Sequence, residues 1–148
     1  MALDLGARPR GGWARLASEI LVEDFNASLA FWCDTLGFRI TYQRPGEKFA
    51  YLDLQGAQIM ICQRYGGHGV NEPPYGRGVT FKIEVDDLGR LLAALKLAGW
   101  PLHAGPREVW RPAGDYEEGQ VGVFVQDPDG YLLLFYEDLG PRPVRRGQ

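Results

Sequence analysis

The sequence predicts an α+β fold built from two copies of a βαβββ module. One observation is a repeated pattern of strand, aspartate, amphipathic helix and glycine; the other is a set of short apolar runs with strand period after each helix. The first helix is framed by Asp24 and Gly37, and the second by Asp87 and Gly99. Aspartate favours the start of a helix and glycine its end, so the two frames define corresponding helices.

The strands follow in the same order in each half. The first half has a strand ending at Val22, then the helix, then strands at Arg39–Gln43, Phe49–Leu54 and Gln58–Cys62. The second half has a strand over 79–85, then the helix, then strands at about Leu102–Ala104, Val121–Gln126 and Tyr131–Tyr136. A hairpin at Asp127–Gly130 joins the last two, since Asp-Pro-Asp-Gly has the proline and glycine of a type I turn.

The remaining segments are rich in glycine, proline and aromatic residues, which is typical of loops. They predict an N-terminal arm over 1–14, a linker over 64–77 between modules 15–63 and 78–140, and a disordered basic tail over 141–148. The insert "GPREVWRPAGDYEEG" is also predicted to be a loop at one face or at the rim of the sheet. The two modules and the linker between them form one domain over 15–140.

Composition limits the class of protein. The chain is 45% hydrophobic and carries 16 basic against 19 acidic residues, a formal charge of −3. This balance disfavours nucleic acid as a partner. Cys33 and Cys62 are predicted to be buried thiols, since two cysteines make neither a disulfide framework nor a zinc pattern. Because the sequence has no apolar run of membrane length and no signal-peptide core at its start, we expect a cytoplasmic protein with no membrane partner.

Strand period separates two faces of the predicted sheet. One is apolar and lies under the helices, with Ile59, Ile61, Leu133 and Phe135 in the last strands. The other face mixes acids, a lysine, aromatic and other apolar residues: Glu19, Tyr51, Asp53, Met60, Lys82, Glu84, Leu134 and Tyr136. It is either a partly wet ligand surface or an ordinary solvated face of an antiparallel sheet.

The doubled plan, together with "LVEDFNASLAFWCDTLGF", "LDLQGAQIMI" and "FVQDPDGYLLLFYEDLG", resembles the vicinal oxygen chelate superfamily, most closely its glyoxalase/bleomycin-resistance branch. The resemblance extends from about Arg15 to Gly140. It implies two βαβββ modules that form an incomplete barrel around a cleft, in a protein that is usually a homodimer. It also implies that an arm around Pro9 can cross to the partner subunit.

Metal-dependent members of that superfamily carry His, Gln or Glu at four strand positions that face the cleft. The resemblance places Ala17, Met60, Thr80 and Leu134 at those positions. None of them is a usual ligand for a divalent metal, and shifting the alignment by one or two residues still gives no ligand set. We therefore expect no metal and no cofactor.

Without metal chemistry, the resemblance implies a small-molecule binding protein of the bleomycin-resistance type rather than an enzyme. Such a protein would sequester a bulky cationic, aromatic antibiotic in a groove of the dimer, because aromatic planes and acids suit that ligand. Trp32 and Phe38 are assigned either to this groove or to the core. The candidate ligand-binding residues are Glu19, Trp32, Phe38, Tyr51, Asp53, Met60, Lys82, Trp110, Tyr116, Phe124, Leu134 and Tyr136.

Two alternatives stay open. One is a metal-dependent enzyme of glyoxalase or dioxygenase type that uses unusual ligands such as Glu19, Glu84 or His103. The other is a metal-free enzyme in which Glu19 acts as a general base.

Overall fold

The computed structural model describes residues 8–44, 46–65 and 72–145. The chain divides into two compact units. The first consists of Met1–Val79 together with Asp127–Tyr131, and the second of Thr80–Gln126 together with Leu132–Gln148. No helix among the described residues is long and apolar enough to cross a membrane.

The first unit is a four-stranded sheet with one helical segment. Its strands have the order β1-β4-β3-β2, with β1 parallel to β4 and the other neighbours antiparallel. The helical segment follows β1 and continues from α-helix into one π-helical stretch, Phe31–Thr35. The elements are β1 Ser18–Val22, α1 Phe25–Ala30, β2 Arg39–Gln43, β3 Phe49–Leu54 and β4 Ala57–Gln63.

The second unit repeats this connectivity. Its sheet has the order β5-β8-β7-β6, again with the first strand parallel to the last and the others antiparallel. The elements are β5 Thr80–Glu84, α2 Leu88–Leu97, β6 Ala104–Pro112, β7 Tyr116–Gln126 and β8 Leu132–Pro143. The predicted α+β fold with two βαβββ modules is therefore confirmed, and each module carries its own open sheet.

The helix ends form where the sequence places them. The Asp24 carboxylate accepts a hydrogen bond from the backbone N–H of Ala27 at 3.1 Å, and the Asp87 carboxylate accepts one from Arg90 at 3.0 Å. Each satisfies a donor that the first helical turn leaves free. Gly99, at φ +66°, ends α2 in the left-handed conformation that glycine adopts without steric cost.

The dry face of each sheet also agrees with the predicted alternation. In the first unit its residues are at most 5% exposed: Ile20, Val22, Ala50, Leu52, Ile59 and Ile61. In the second unit Val123, Val125, Leu133 and Phe135 are 0% exposed. The aliphatic side chains of these strands are buried on one face of each sheet, and the polar and most of the aromatic side chains lie on the other face.

The prediction of a loop for the insert was wrong. Most of it forms strands β6 and β7, whose register pairs Val109 with Gln120 and Trp110 with Gly119. Proline and glycine in the insert indicated a loop. Only residues 113–115 form a turn, because the residues on either side of them pair with each other as strands. Strand β8 also runs to Pro143, so residues 141–143 of the predicted tail are strand, whereas 146–148 lie outside the described residues.

The two cysteines are free and only half-buried, not fully buried as predicted. Cys33 follows α1, and burial raises the pKa of its thiol to about 11, with Asp34 adding to the shift. Cys62 lies in β4 on the side opposite the dry face. Burial raises the pKa of its thiol as well, so neither thiol is an activated nucleophile.

Candidate functional site on the open sheet faces

The open face of the first sheet carries a row of four side chains. The register pairs Glu19 of β1 with Met60 of β4, Met60 with Tyr51 of β3, and Tyr51 with Tyr42 of β2. Cross-strand partners share a face, so this row lies opposite the dry core. The sequence correctly brought Glu19, Tyr51 and Met60 to one face, and Tyr42 was missed because β2 shifts register between Ile40 and Tyr42.

Four rings form a continuous cluster on this face, which we call the aromatic platform: Trp13, Tyr42, Phe49 and Tyr51. Tyr42 and Tyr51 stack with centroids 5.4 Å apart, and Phe49 lies 5.8 Å from Tyr42. Trp13 meets Tyr51 at 5.0 Å and Tyr42 at 5.8 Å, edge to face in both cases. Trp13 is 40% exposed whereas Tyr51 is 6% exposed, so the platform has a buried base and an accessible top.

Trp13 reaches the platform because Gln58 holds the chain before β1, residues 8–14, which we call the strap. The Gln58 side-chain oxygen accepts hydrogen bonds from the backbone N–H of Ala14 at 2.7 Å and from the Tyr51 hydroxyl at 2.6 Å. Its amide nitrogen donates to the carbonyl of Gly12 at 2.9 Å. The described part of the predicted arm thus packs on its own first unit, and neither Trp13 nor Gln58 was among the sequence candidates.

The open face of the second sheet has a different character. Lys82 pairs with Leu134, Leu134 with Phe124, and Glu84 with Tyr136. The Lys82 ammonium lies 4.4 Å from the centroid of the Tyr136 ring, a cation–π contact. Burial raises the pKa of the Tyr136 hydroxyl above its usual range, and Glu84 adds to the shift. The face therefore combines two half-buried apolar side chains with a lysine and a glutamate.

The residues on these faces do not fit a divalent metal. The resemblance assigns the superfamily's four ligand positions to residues whose side chains end in a methyl group, a thioether, a hydroxyl and an isobutyl group: Ala17, Met60, Thr80 and Leu134. Within residues 8–44, 46–65 and 72–145, no three His, Cys, Asp or Glu side chains lie close enough together to hold a metal ion. Glu19 belongs to the first unit, whereas Glu84 and His103 belong to the second.

Three predicted ligand-binding residues have structural contacts instead. Trp32 is 0% exposed, Phe38 is 4% exposed, and their rings meet at 5.1 Å in the core of the first unit. The indole N–H of Trp32 donates to the Asp127 carboxylate at 3.3 Å. The Asp53 carboxylate accepts a hydrogen bond from Gly56 at 3.2 Å and so stabilises the β3–β4 turn. We therefore leave all three out of the site.

Trp110 packs within the second sheet. A Cβ at Gly119, its cross-strand partner, would lie 2.5 Å from the indole ring, so the ring rests directly on the glycine. The Arg142 guanidinium lies 4.0 Å from the ring centroid and donates to Glu117 at 2.7 Å, while the indole N–H donates to Glu108 at 2.7 Å. Tyr116, in contrast, is 40% exposed at the start of β7.

The fold and the repeated modules agree with a comparison against known families. The model of the glyoxalase/bleomycin resistance protein/dioxygenase superfamily matches residues 14–135. The chain belongs to this superfamily. The match covers most of both modules and begins within the strap.

Individual relatives are more distant. A probable lactoylglutathione lyase of Vibrio parahaemolyticus is 27% identical over 130 residues, covering 80% of this chain and 86% of its own. A lactoylglutathione lyase of Haemophilus influenzae is 29% identical over 135 residues, covering 83% of this chain and 91% of its own. Among solved structures, TioX from Micromonospora sp. ML1 has a TM-score of 0.65 at 19% identity, covering 85% of this chain and 99% of its own. This last likeness shows the superfamily fold alone.

Proposed function

We propose that this member of the superfamily is a metal-independent small-molecule binding protein that sequesters a bulky, cationic and aromatic compound of the antibiotic type. The observation that carries the proposal is the side-chain set at the four ligand positions. A methyl, a thioether, a hydroxyl and an isobutyl group offer a guest van der Waals contact, but they cannot hold a divalent metal that would polarise it.

The open faces support the same proposal. On the first sheet the aromatic platform offers rings for stacking, and Glu19 lies in the same row as Met60 and Tyr51. On the second sheet Leu134 and Phe124 add half-buried apolar surface beside Glu84. Apolar surface with a few charged groups is the usual composition of a small-molecule site. The proposal includes a cytoplasmic homodimer, as the resemblance implies.

A second candidate is lactoylglutathione lyase activity. It is favoured by two relatives of that name, which align with at least 80% of this chain. It would require metal ligands other than the residues at the four superfamily positions, or a mechanism in which a carboxylate such as Glu19 acts as the base. The two candidates therefore differ in metal content and in turnover.

We expect the purified chain to bind bleomycin, used as the probe, without added metal, in isothermal titration calorimetry. We also expect no stoichiometric zinc, nickel or iron after reconstitution and desalting, and no lactoylglutathione lyase activity in the presence of these metals. Retained stoichiometric metal with turnover would establish the second candidate. Affinity for bleomycin no tighter than millimolar would exclude the antibiotic form of the proposal.

A pair of matched variants tests whether the open faces take part. Leu134→Arg puts a positive charge on the open face of the second sheet, where we expect bleomycin affinity to fall by at least about tenfold through repulsion and lost contact. Leu97→Arg makes the same change at a position of α2 that is 92% exposed, and its affinity should match that of the unaltered chain. Equal affinities of the two variants would contradict a site on that face.

A further inference from the structure

We propose that the aromatic platform is the subsite that holds a guanidinium, amidinium or ammonium group of the ligand, with Trp13 as the ring that contacts it. This inference rests on the function proposed above and adds the place and chemistry of recognition. It also gives the strap a role, because the strap presents Trp13.

Guanidinium groups of the chain itself already lie against the platform. The Arg8 guanidinium carbon is 5.8 Å from the centroid of the Trp13 ring, and that of Arg44 is 4.3 Å from Phe49 and 6.0 Å from Tyr42. The face of an aromatic ring is negative and attracts cations within about 6 Å. The platform therefore accommodates a planar cation of the kind that we assign to the ligand, both at Trp13 and at Phe49.

The two arginines lie in different parts of the chain. Arg44 pairs with Glu47 at 3.4 Å, and the two belong to the same β2–β3 connection. Arg8 is the first residue of the strap. It precedes Gly12, the first strap residue that is hydrogen-bonded to the Gln58 side chain. A ligand cation can therefore replace Arg8 on Trp13 without breaking the contacts that keep Trp13 in place.

Trp13 is accessible to a ligand and is held in a fixed orientation. Trp13 is 40% exposed, so the ring is accessible, while its edge-to-face contacts with Tyr42 and Tyr51 fix its orientation. Glu19 lies on the same sheet face, in the row that contains Tyr51, and supplies a negative charge. An aromatic ring held in place costs little conformational entropy when a ligand stacks on it.

The test uses the full-length chain and a pair of small probes. 4-Aminobenzamidine carries an aromatic amidinium, and 4-aminobenzamide has nearly the same shape without the charge. We expect the amidinium to bind roughly 2- to 30-fold more tightly than the amide, the range that cation–π contacts give. Equal binding of the two probes, or binding of neither, would overturn the cation subsite.

Variants of the strap locate the contact. Trp13→Leu should lose the preference for the amidinium, and Trp13→Tyr should keep part of it because a ring remains. Arg8→Ala should bind the amidinium more tightly, since the intramolecular competitor is gone. Arg10→Ala is the matched control and should leave the affinity unchanged, because Arg10 makes none of the described cation–ring contacts.

The outcomes separate this inference from the proposed function. If Trp13→Leu is folded by circular dichroism and keeps the amidinium preference, the subsite is wrong. If it also keeps bleomycin binding, the binding function stands with its site elsewhere. Loss of amidinium preference in Trp13→Leu with the opposite change in Arg8→Ala would establish the platform as the cation subsite, whatever the physiological ligand.

Discussion

Asp127 is a carboxylate held almost wholly away from water in the first unit, with only 3% of its surface exposed. One oxygen accepts hydrogen bonds from the backbone N–H groups of Asp129 and Tyr131, and the other accepts one from the Trp32 indole. Burial outweighs these hydrogen bonds and, with the nearby charge of Asp129, raises the pKa of Asp127 to about 6. The residue thus organises the turn at the cost of a buried charge.

This carboxylate gives the first prediction, on pH. Its pKa rises from 3.8 to about 6 on folding, so the folded state binds the proton more tightly than the unfolded state. The contribution of this group to the free energy of unfolding should therefore fall as pH rises from about 4 to about 7, by up to about 3 kcal/mol. Urea denaturation of the chain and of Asp127→Asn over this range measures the effect.

The comparison of the two proteins isolates Asp127 from the other carboxylates. Asp127→Asn keeps an oxygen for the two backbone N–H groups but cannot titrate, so its stability relative to the unaltered chain should improve as pH rises. A stability difference that stays constant across the range would show that Asp127 does not titrate there. The turn was predictable from Asp-Pro-Asp-Gly, but the burial was not, because Trp32 is 95 residues away.

At the scale of elements, the clearest departure from prediction is the extension of the second sheet. Strands β6, β7 and β8 are 9, 11 and 12 residues long, whereas β5 has 5. The far part of the three longer strands is held by pairing with one another and by Trp110, which lies between Gly119 and Arg142. In the sequence Gly119 indicated a loop. In the sheet it leaves space for the indole ring of Trp110 on the neighbouring strand.

Gly119→Ala should therefore destabilise the protein. The new Cβ would lie 2.5 Å from the Trp110 ring, so the ring or the strand must shift, at a cost of about 1–3 kcal/mol in the free energy of unfolding. Gly11→Ala is the matched control, because a Cβ there meets nothing within 4 Å. Urea denaturation compares them, and equal stability of the two variants would contradict the packing of Trp110 on Gly119.

At the scale of the whole molecule, the sequence repeat and the compact units have different boundaries. The hairpin turn belongs to the second module in sequence, but Asp127–Tyr131 belongs to the first compact unit. There the Tyr131 hydroxyl donates to the carbonyl of Leu21 at 2.8 Å, and its ring stacks on Tyr75 at 5.7 Å. The first module alone is therefore an incomplete folding unit.

A fragment of residues 1–79 should consequently fail to unfold cooperatively. It lacks the acceptor for the Trp32 indole and the Tyr131 ring, so a buried donor and apolar core surface would be left without partners. Urea denaturation followed by circular dichroism tests this against the full chain as control. A sigmoidal transition of the fragment would contradict the prediction.

The sequence by itself determined the features that depend on neighbouring residues. Caps such as Asp24 and Asp87 and the alternation of faces are local properties, and together with the repeated βαβββ plan they were sufficient for the fold class and for the resemblance to the superfamily. The tertiary structure decided which distant groups meet. Trp13 on Tyr51, Trp110 on Gly119 and Trp32 on Asp127 each depend on chain pairing and burial, which local patterns do not encode.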